Sequence, residues 1–276
     1  MAGDSKRKAA PEMTDEELSL VLGAVVFVGG AFGLVLQRFL PERFTTGGPR
    51  DMIMAVGGLL TLLSALVLGL LIWTAYGVYS GQSIAVQTLA AKLLLLDRAL
   101  VDYGSDADAG RAQLKQDLRG TIKDIWQSDQ GAEQFAAHNF TDANDNLRRK
   151  QSYLESLTPA TDNQKQALAA AMQTIDSIGQ SRLQMSFALE NPVSYPLIYV
   201  VIGWTTGLFC GFGLTSRGNL MSIVALAFGA VAIASAVYVI LDLSSPYSGI
   251  FRASPAPLQQ VLAYMNQERG AVGAAR

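Results

Sequence analysis

Long uncharged apolar runs alternate with polar stretches along the chain. The first two runs cover about 18–36 and 52–79, and two more cover about 195–214 and 220–241. Each is close to or above the roughly 20 apolar residues that cross a hydrocarbon core of about 30 Å. The pattern therefore predicts an all-α integral membrane protein with four transmembrane helices.

Between the second and third runs the apolar positions follow the period of amphipathic soluble helices. Four such stretches are predicted, at 84–100, 114–125, 147–157 and 168–187. No helix stop separates the second span from the first of them, so we expect one continuous helix to Tyr103. Capping boxes at Thr14 with Glu17 and at Thr161 with Gln164 predict two helix starts. Residues 80–191 are thus expected to form a helical cytosolic domain.

The remaining boundaries follow from the spans. Residues 1–17 form a polar N-terminal segment, 18–79 and 192–242 form two transmembrane hairpins, and 243–276 form a cytosolic C-terminal tail with a short helix at 258–269. Four crossings place both termini and the helical domain on one side. Near the membrane that side carries seven Lys or Arg residues: Lys6, Arg7, Lys8, Lys92, Arg98, Arg182 and Arg252. The other side carries four: Arg38, Arg43, Arg50 and Arg217. The bias predicts cytoplasmic termini.

Composition narrows the function classes. The chain is 50% hydrophobic and 16% charged, and its net charge of -2 argues against nucleic-acid binding. Cys210 is the single cysteine and His138 the single histidine, so neither a disulfide framework nor a zinc cluster is expected. No motif pairs a nucleophile with a base. We therefore predict that the protein is not an enzyme and holds no cofactor or metal.

Small residues recur every four positions in two spans, which places each set on one helix face. They are Gly203, Gly207 and Gly211 in the third span and Gly57, Thr61, Ala65 and Gly69 in the second. Gly29 and Gly33 have the same spacing in the first span. These rows predict close helix packing, either within one four-helix bundle or at the wall of an oligomer or pore.

No ionisable residue lies in the middle of any span, which argues against a proton relay or a charge-coupled carrier. Uncharged hydroxyls do occur there, and Thr61, Ser64 and Thr74 are the pore-lining candidates. The alternative is that each hydroxyl bonds a carbonyl of its own helix. If these hydroxyls line a path through the membrane, the expected ligand is an inorganic ion.

Asp242 ends the fourth span and precedes the sequence SSPYSG. It is either a solvated acid at a helix end or the partner of an arginine in a partly desolvated site. Sequence distance favours Arg252 as that partner, and the alternatives are Arg98 and a contact between subunits.

Four segments carry a resemblance to a known family: LAAKLLLLDRALVDYG from Leu89, NPVSYPL from Asn191, FGLTSRGN from Phe212 and LDLSSPYSGIFR from Leu241. They resemble the bestrophin-like proteins, a bacterial family of uncharacterised membrane proteins. The motif residues that match are Asp97, Arg98, Asp242, Pro246 and Gly249. The chain departs from the family pattern at Ser244, where a second acid is frequent, and at Tyr247, where Phe is frequent.

The resemblance implies kinship with bestrophin anion channels, which are pentamers with four spans and a helical cytosolic domain. The leading hypothesis is therefore an oligomeric ion channel or channel-like protein of the bacterial inner membrane, whose partners are the lipid bilayer and further copies of itself. The alternative is a membrane-anchored scaffold or sensor whose helical domain binds a partner protein.

Overall fold

The structure is a computed structural model that describes residues 14–41, 47–126, 145–190, 195–216 and 218–274. Within these ranges the chain forms helices and no strand. The helices are α1 (Asp15–Gln37), α2 (Gly48–Tyr103), α3 (Asp108–Trp126), α4 (145–155), α5 (Asp162–Glu190), α6 (Tyr195–Thr215), α7 (Leu220–Ser244) and α8 (Ala256–Ala274), with a short 3-10 helix, Ser105–Ala107, before α3. His138 and Arg217 lie outside the described residues. The predicted all-helical character is confirmed.

Both predicted capping boxes are present. The Glu17 N–H donates to Thr14 Oγ1 at 3.3 Å, and the Thr14 N–H donates to the Glu17 carboxylate at 3.0 Å. At the start of α5 the Gln164 N–H donates to Thr161 Oγ1 at 3.2 Å, and the Thr161 N–H donates back to Gln164 Oε1 at 3.3 Å. These side chains satisfy N–H groups that the first helical turn leaves without a backbone partner.

The predicted continuous helix is confirmed, because α2 runs for 56 residues without a break. It ends at Gly104, whose φ of 107° lies in the region that residues with a Cβ rarely adopt. The carbonyl of Tyr103, one of the last in the helix, accepts a hydrogen bond from Gln164 Nε2 at 3.1 Å. A side chain of α5 therefore satisfies an acceptor that the helix end leaves free.

The chain divides into two compact units. The membrane unit combines Met1–Ala75 with Val193–Asp242, and the helical unit combines Tyr76–Pro192 with Leu243–Arg276. The segment after Asp242, which the sequence predicted as a tail, is grouped with the helical unit and contains α8.

Among the described helices four, α1, α2, α6 and α7, are long and apolar enough to cross a membrane. Many of their large apolar side chains are exposed, among them Leu20, Val28, Phe32, Leu59, Leu62, Leu66, Trp73, Leu220, Phe228 and Val231. A contiguous exposed apolar surface of this kind is unfavourable in water and favourable in lipid. The chain thus contains several long helices with the character of membrane spans.

The helical unit has its own apolar core. Buried side chains of α2, α3, α4, α5 and α8 form one cluster that includes Val86, Leu93, Leu96, Leu114, Leu118, Ile122, Leu154, Ile175, Ile178, Leu258 and Met265. Polar contacts join the same helices: Lys92 Nζ donates to Ser181 Oγ at 2.6 Å and to the Ser177 carbonyl at 3.0 Å. Burial of the apolar stripes of several helices against one another accounts for the packing of this unit.

Candidate functional site

A close helix contact in the membrane unit joins α1 to α6. A Cβ added at Gly33 would collide with the carbonyl of Cys210, and one added at Gly213 would collide with the carbonyl of Gly30. Glycine is required at these two positions because another backbone occupies the space of a side chain. Gly33 belongs to the Gly29 and Gly33 pair that the sequence pointed to, whereas Gly213 is outside the row predicted for the third span.

The predicted small-residue rows have unequal surroundings within one chain. A Cβ at Gly211 would meet Ile53 Cγ2 at 3.5 Å, and one at Gly57 would meet Leu208 Cδ2 at 3.7 Å, both ordinary van der Waals distances. Added Cβ atoms at Gly69, Gly203 and Gly207 would meet none of the described residues within 4 Å. Thr61 and Ala65 are also exposed. One end of each row therefore lines the contact between α2 and α6, and the rest presents a smooth surface.

The three pore-lining candidates differ in how their hydroxyls are used. Thr61 Oγ1 donates to the Gly57 carbonyl and Thr74 Oγ1 to the Leu70 carbonyl, each at 2.8 Å within α2. The sequence left open the alternative that such a hydroxyl bonds a carbonyl of its own helix, and Thr61 and Thr74 do so. Ser64 Oγ is buried and has no hydrogen-bond partner in the part of the chain that the structure describes. Of the three, Ser64 alone keeps an uncommitted hydroxyl.

Of the two adjacent family-motif residues, Asp97 lies in the interior and Arg98 lies at the surface. Asp97 is 1% exposed and accepts two hydrogen bonds from the Arg111 guanidinium, at 2.8 Å from Nε and 2.9 Å from the second nitrogen. Arg98, one position further along α2, is exposed. This two-point geometry is the strongest form of carboxylate recognition by arginine. It joins the end of α2 to the start of α3.

Asp242, the second motif acid, lies in the last turns of α7. Its side chain is buried, and the Tyr238 hydroxyl stands 3.5 Å from Oδ1, the outer limit of a hydrogen bond. Arg252 Nε donates to the Gly249 carbonyl at 2.9 Å. The pairing of Asp242 with Arg252 or Arg98 stays a prediction.

Pro246 and Gly249 form the turn between α7 and α8. Gly249 has a φ of 74°, which explains why glycine stands there, and the Ala253 N–H closes the turn on the Pro246 carbonyl at 2.7 Å. Trp126 Nε1 donates to the Ala253 carbonyl at 2.7 Å. The turn is thereby bonded to the end of α3 within the helical unit.

Tyr247 anchors the same turn from inside. Its hydroxyl donates to Gln82 Oε1 at 2.8 Å, and Gln82 Nε2 donates to the Met185 carbonyl at 3.0 Å. The Tyr247 ring lies edge-on to Trp126, with the ring centroids 5.9 Å apart. Burial raises the pKa of Tyr247 well above its ordinary value, so the hydroxyl remains a donor at physiological pH. Gln82 and Trp126 were not singled out by the sequence.

One protein-family model matches most of the chain. The family model for a Bestrophin-like domain matches residues 22–258, a range that includes most of α1, all of α2, α6 and α7, and the motif residues. Neither the curated proteins nor the solved structures give a match. Because the family model covers far more than half of the sequence, the chain belongs to the bestrophin-like family.

Proposed function

We propose that the protein is a homo-oligomeric channel-like membrane protein that conducts an inorganic ion across the bacterial inner membrane. The observation that carries the proposal is the family match over residues 22–258, which supports a channel-like membrane protein at the family level. The four long apolar helices agree with it. We propose no enzymatic role, because no sequence motif pairs a nucleophile with a base.

Two features of the spans favour conduction over carrier transport. The middle of each span lacks an ionisable side chain, so no fixed charge binds a coupling ion there. Added Cβ atoms at Gly69 on α2 and at Gly203 and Gly207 on α6 would meet no described residue within 4 Å, and the smooth surface that Gly203 and Gly207 form on α6 allows close approach of another helix. We infer that this surface meets a second copy of the chain in an oligomer.

The proposed assembly predicts an effect of filling the smooth surface. Gly207→Ile adds a branched side chain at a position where an added Cβ would meet no described residue within 4 Å, so the single chain should fold normally while the subunits lose close contact. We expect the purified particle to shift to smaller mass in native mass spectrometry, with little change in helix content.

A matched control is available on α7. Ala225 is also exposed, so Ala225→Ile adds comparable apolar volume at another exposed position of the membrane unit. An unchanged particle mass for Gly207→Ile, equal to that of Ala225→Ile, would show that the row faces lipid rather than another subunit.

We further propose a four-span topology with the helical unit and both termini in the cytoplasm, on the basis of the Lys and Arg bias. In a Cys210→Ala background, Lys123→Cys tests the helical unit and Gly218→Cys tests the connection between α6 and α7; both positions are exposed. An impermeant maleimide applied to spheroplasts should label Gly218→Cys and spare Lys123→Cys. Labelling of Lys123→Cys from outside, in spheroplasts that retain a cytoplasmic marker, would reverse the proposed orientation.

The alternative function is a membrane-anchored scaffold or sensor, favoured by the extensive separate core of the helical unit. A scaffold needs the four spans only as an anchor, so it predicts no ion flux from the purified protein. Reconstitution into vesicles therefore separates the two functions.

A further inference from the structure

An open cleft of about 390 Å³ lies among α2, α3, α4 and α5 of the helical unit. Its volume falls within the roughly 300–1,000 Å³ of small-molecule sites. The floor is apolar and consists of Leu96, Leu100, Leu114, Leu154 and Ile175. A ligand with an apolar body would therefore find a surface of matching character.

One wall of the cleft carries more positive than negative charge. Lys150 and Arg149 line it together with a single carboxylate, that of Asp117. Lys150 Nζ pairs with Asp117 Oδ2 at 2.8 Å, and Gln113 Nε2 donates to the other oxygen of the same carboxylate at 2.7 Å. The acid is thus already engaged by two donors, and it is the one negative charge among the residues that line the cleft.

Arg149 keeps donor capacity. Its Nε contacts the Asp145 carbonyl at 3.4 Å, and one terminal nitrogen donates to Asn146 Oδ1. Within the described residues the other terminal nitrogen makes no hydrogen bond to protein. A guanidinium with a free edge beside an apolar floor is suited to a carboxylate or a phosphate.

A third cation adds to this excess. Arg182 shares a small cavity with Asp117 and Lys150, which also line the cleft. Burial lowers the pKa of Arg182 and of Lys150, and in both cases the Asp117 carboxylate offsets part of that effect. Lys150 and Arg182 share the Asp117 carboxylate, and the charges of Arg182 and Arg149 both act against that of Lys150, so a bound anion would relieve their mutual repulsion.

We propose that this cleft binds an amphipathic anion, a small molecule with one carboxylate or phosphate group on a short apolar body. The anionic group contacts Arg149 and Lys150, and the apolar body covers the leucine and isoleucine floor. The assignment does not depend on ion conduction, since it rests on the helical unit alone.

The test is equilibrium dialysis of radiolabelled octanoate against the full chain in phosphatidylcholine nanodiscs, with the signal of empty nanodiscs subtracted. We expect saturable binding of about one octanoate per chain. Octanol and octylammonium have the same number of carbon atoms without the negative charge, and they should not displace it. Absence of saturable binding, or equal displacement by octylammonium, would overturn the proposal.

Neighbouring arginines provide the matched variants. Arg149→Gln should weaken octanoate binding by about tenfold or more, the loss of one charge-assisted contact. Arg148→Gln removes the same charge from an exposed residue that does not line the cleft, and it should leave binding within about twofold. Ala109→Trp fills the cleft from an exposed position and should abolish binding while thermal stability is kept. Equal losses for Arg148→Gln and Arg149→Gln, or full binding by Ala109→Trp, would exclude this site.

A second series of nanodiscs identifies the source of the anion. Added phosphatidylglycerol should reduce octanoate binding if a lipid headgroup supplies the anion in the cell. Unchanged affinity, still lost in Arg149→Gln, would assign the cleft to a water-soluble carboxylate.

Discussion

Substitution Gly33→Leu is expected to prevent stable folding of the membrane unit. The new Cβ would lie on the carbonyl of Cys210, a backbone atom that cannot move without displacing α6. Forcing extra volume into a packed contact costs about 1–3 kcal/mol and sometimes more, and here we expect the upper end because the backbones themselves must separate. The measurement is the yield of monodisperse protein after detergent extraction, together with its thermal stability.

Gly58 provides the control for this substitution. It lies in another apolar span, and an added Cβ there would meet no atom within 4 Å in the part of the chain that the structure describes. Gly58→Leu makes the same chemical change and the same gain in helix propensity without a collision. Equal yield and stability for Gly33→Leu and Gly58→Leu would contradict the close contact of α1 with α6.

Substitution Asp97→Asn should destabilise the helical unit by about 3–5 kcal/mol, the cost of leaving a buried guanidinium without its carboxylate. Arg111 is only 15% exposed, so water cannot replace the lost partner fully. We expect faster hydrogen exchange in α3, with the exchange of α7 as an internal reference for the membrane unit. The double substitution Asp97→Leu with Arg111→Met removes both charges and should recover part of the stability.

A substitution of Arg98 tests whether Asp97 and Arg98 act as a pair. Because its side chain is exposed, Arg98→Gln should leave the exchange of α3 nearly unchanged. If Arg98→Gln accelerated exchange as strongly as Asp97→Asn, the assignment of Arg111 as the stabilising partner would be wrong.

The elements that the sequence predicted well are those set by local chemistry. The capping residues, together with the apolar positions that follow them, predicted that helices start near Asp15 and Asp162. The continuity of α2 followed from the absence of Pro between Pro49 and Tyr103 and from uninterrupted helical periodicity. The end of α2 next to Gly104 was predictable because glycine tolerates a positive φ.

The partner of Asp97 was missed, although the sequence contains a signal for it. Asp97 and Arg111 are each seven residues from Gly104, at which α2 ends. In an antiparallel helix pair, residues equidistant from the turn lie at the same height and can face each other. Arg98 is adjacent in sequence but points about 100° away around the helix axis, since an α-helix has 3.6 residues per turn.

Which small residues touch could not be predicted, because the rows in α1, α2 and α6 have the same spacing. Periodicity places residues on a face but does not say which face meets which neighbour. The contact of Gly33 with the Cys210 carbonyl depends on the relative height of two helices that are distant in sequence. The engagement of Tyr247 by Gln82, 165 positions away, has the same origin.

Ion flux from purified protein in sealed vesicles tests the central proposal most directly. Vesicles loaded with a chloride-sensitive or a potassium-sensitive dye should show protein-dependent flux for at least one of these ions, and Gly207→Ile should reduce that flux along with the particle mass. If tight vesicles that contain the oriented oligomer pass neither ion at any pH or salt concentration tested, the channel proposal is contradicted. The scaffold or sensor function then remains.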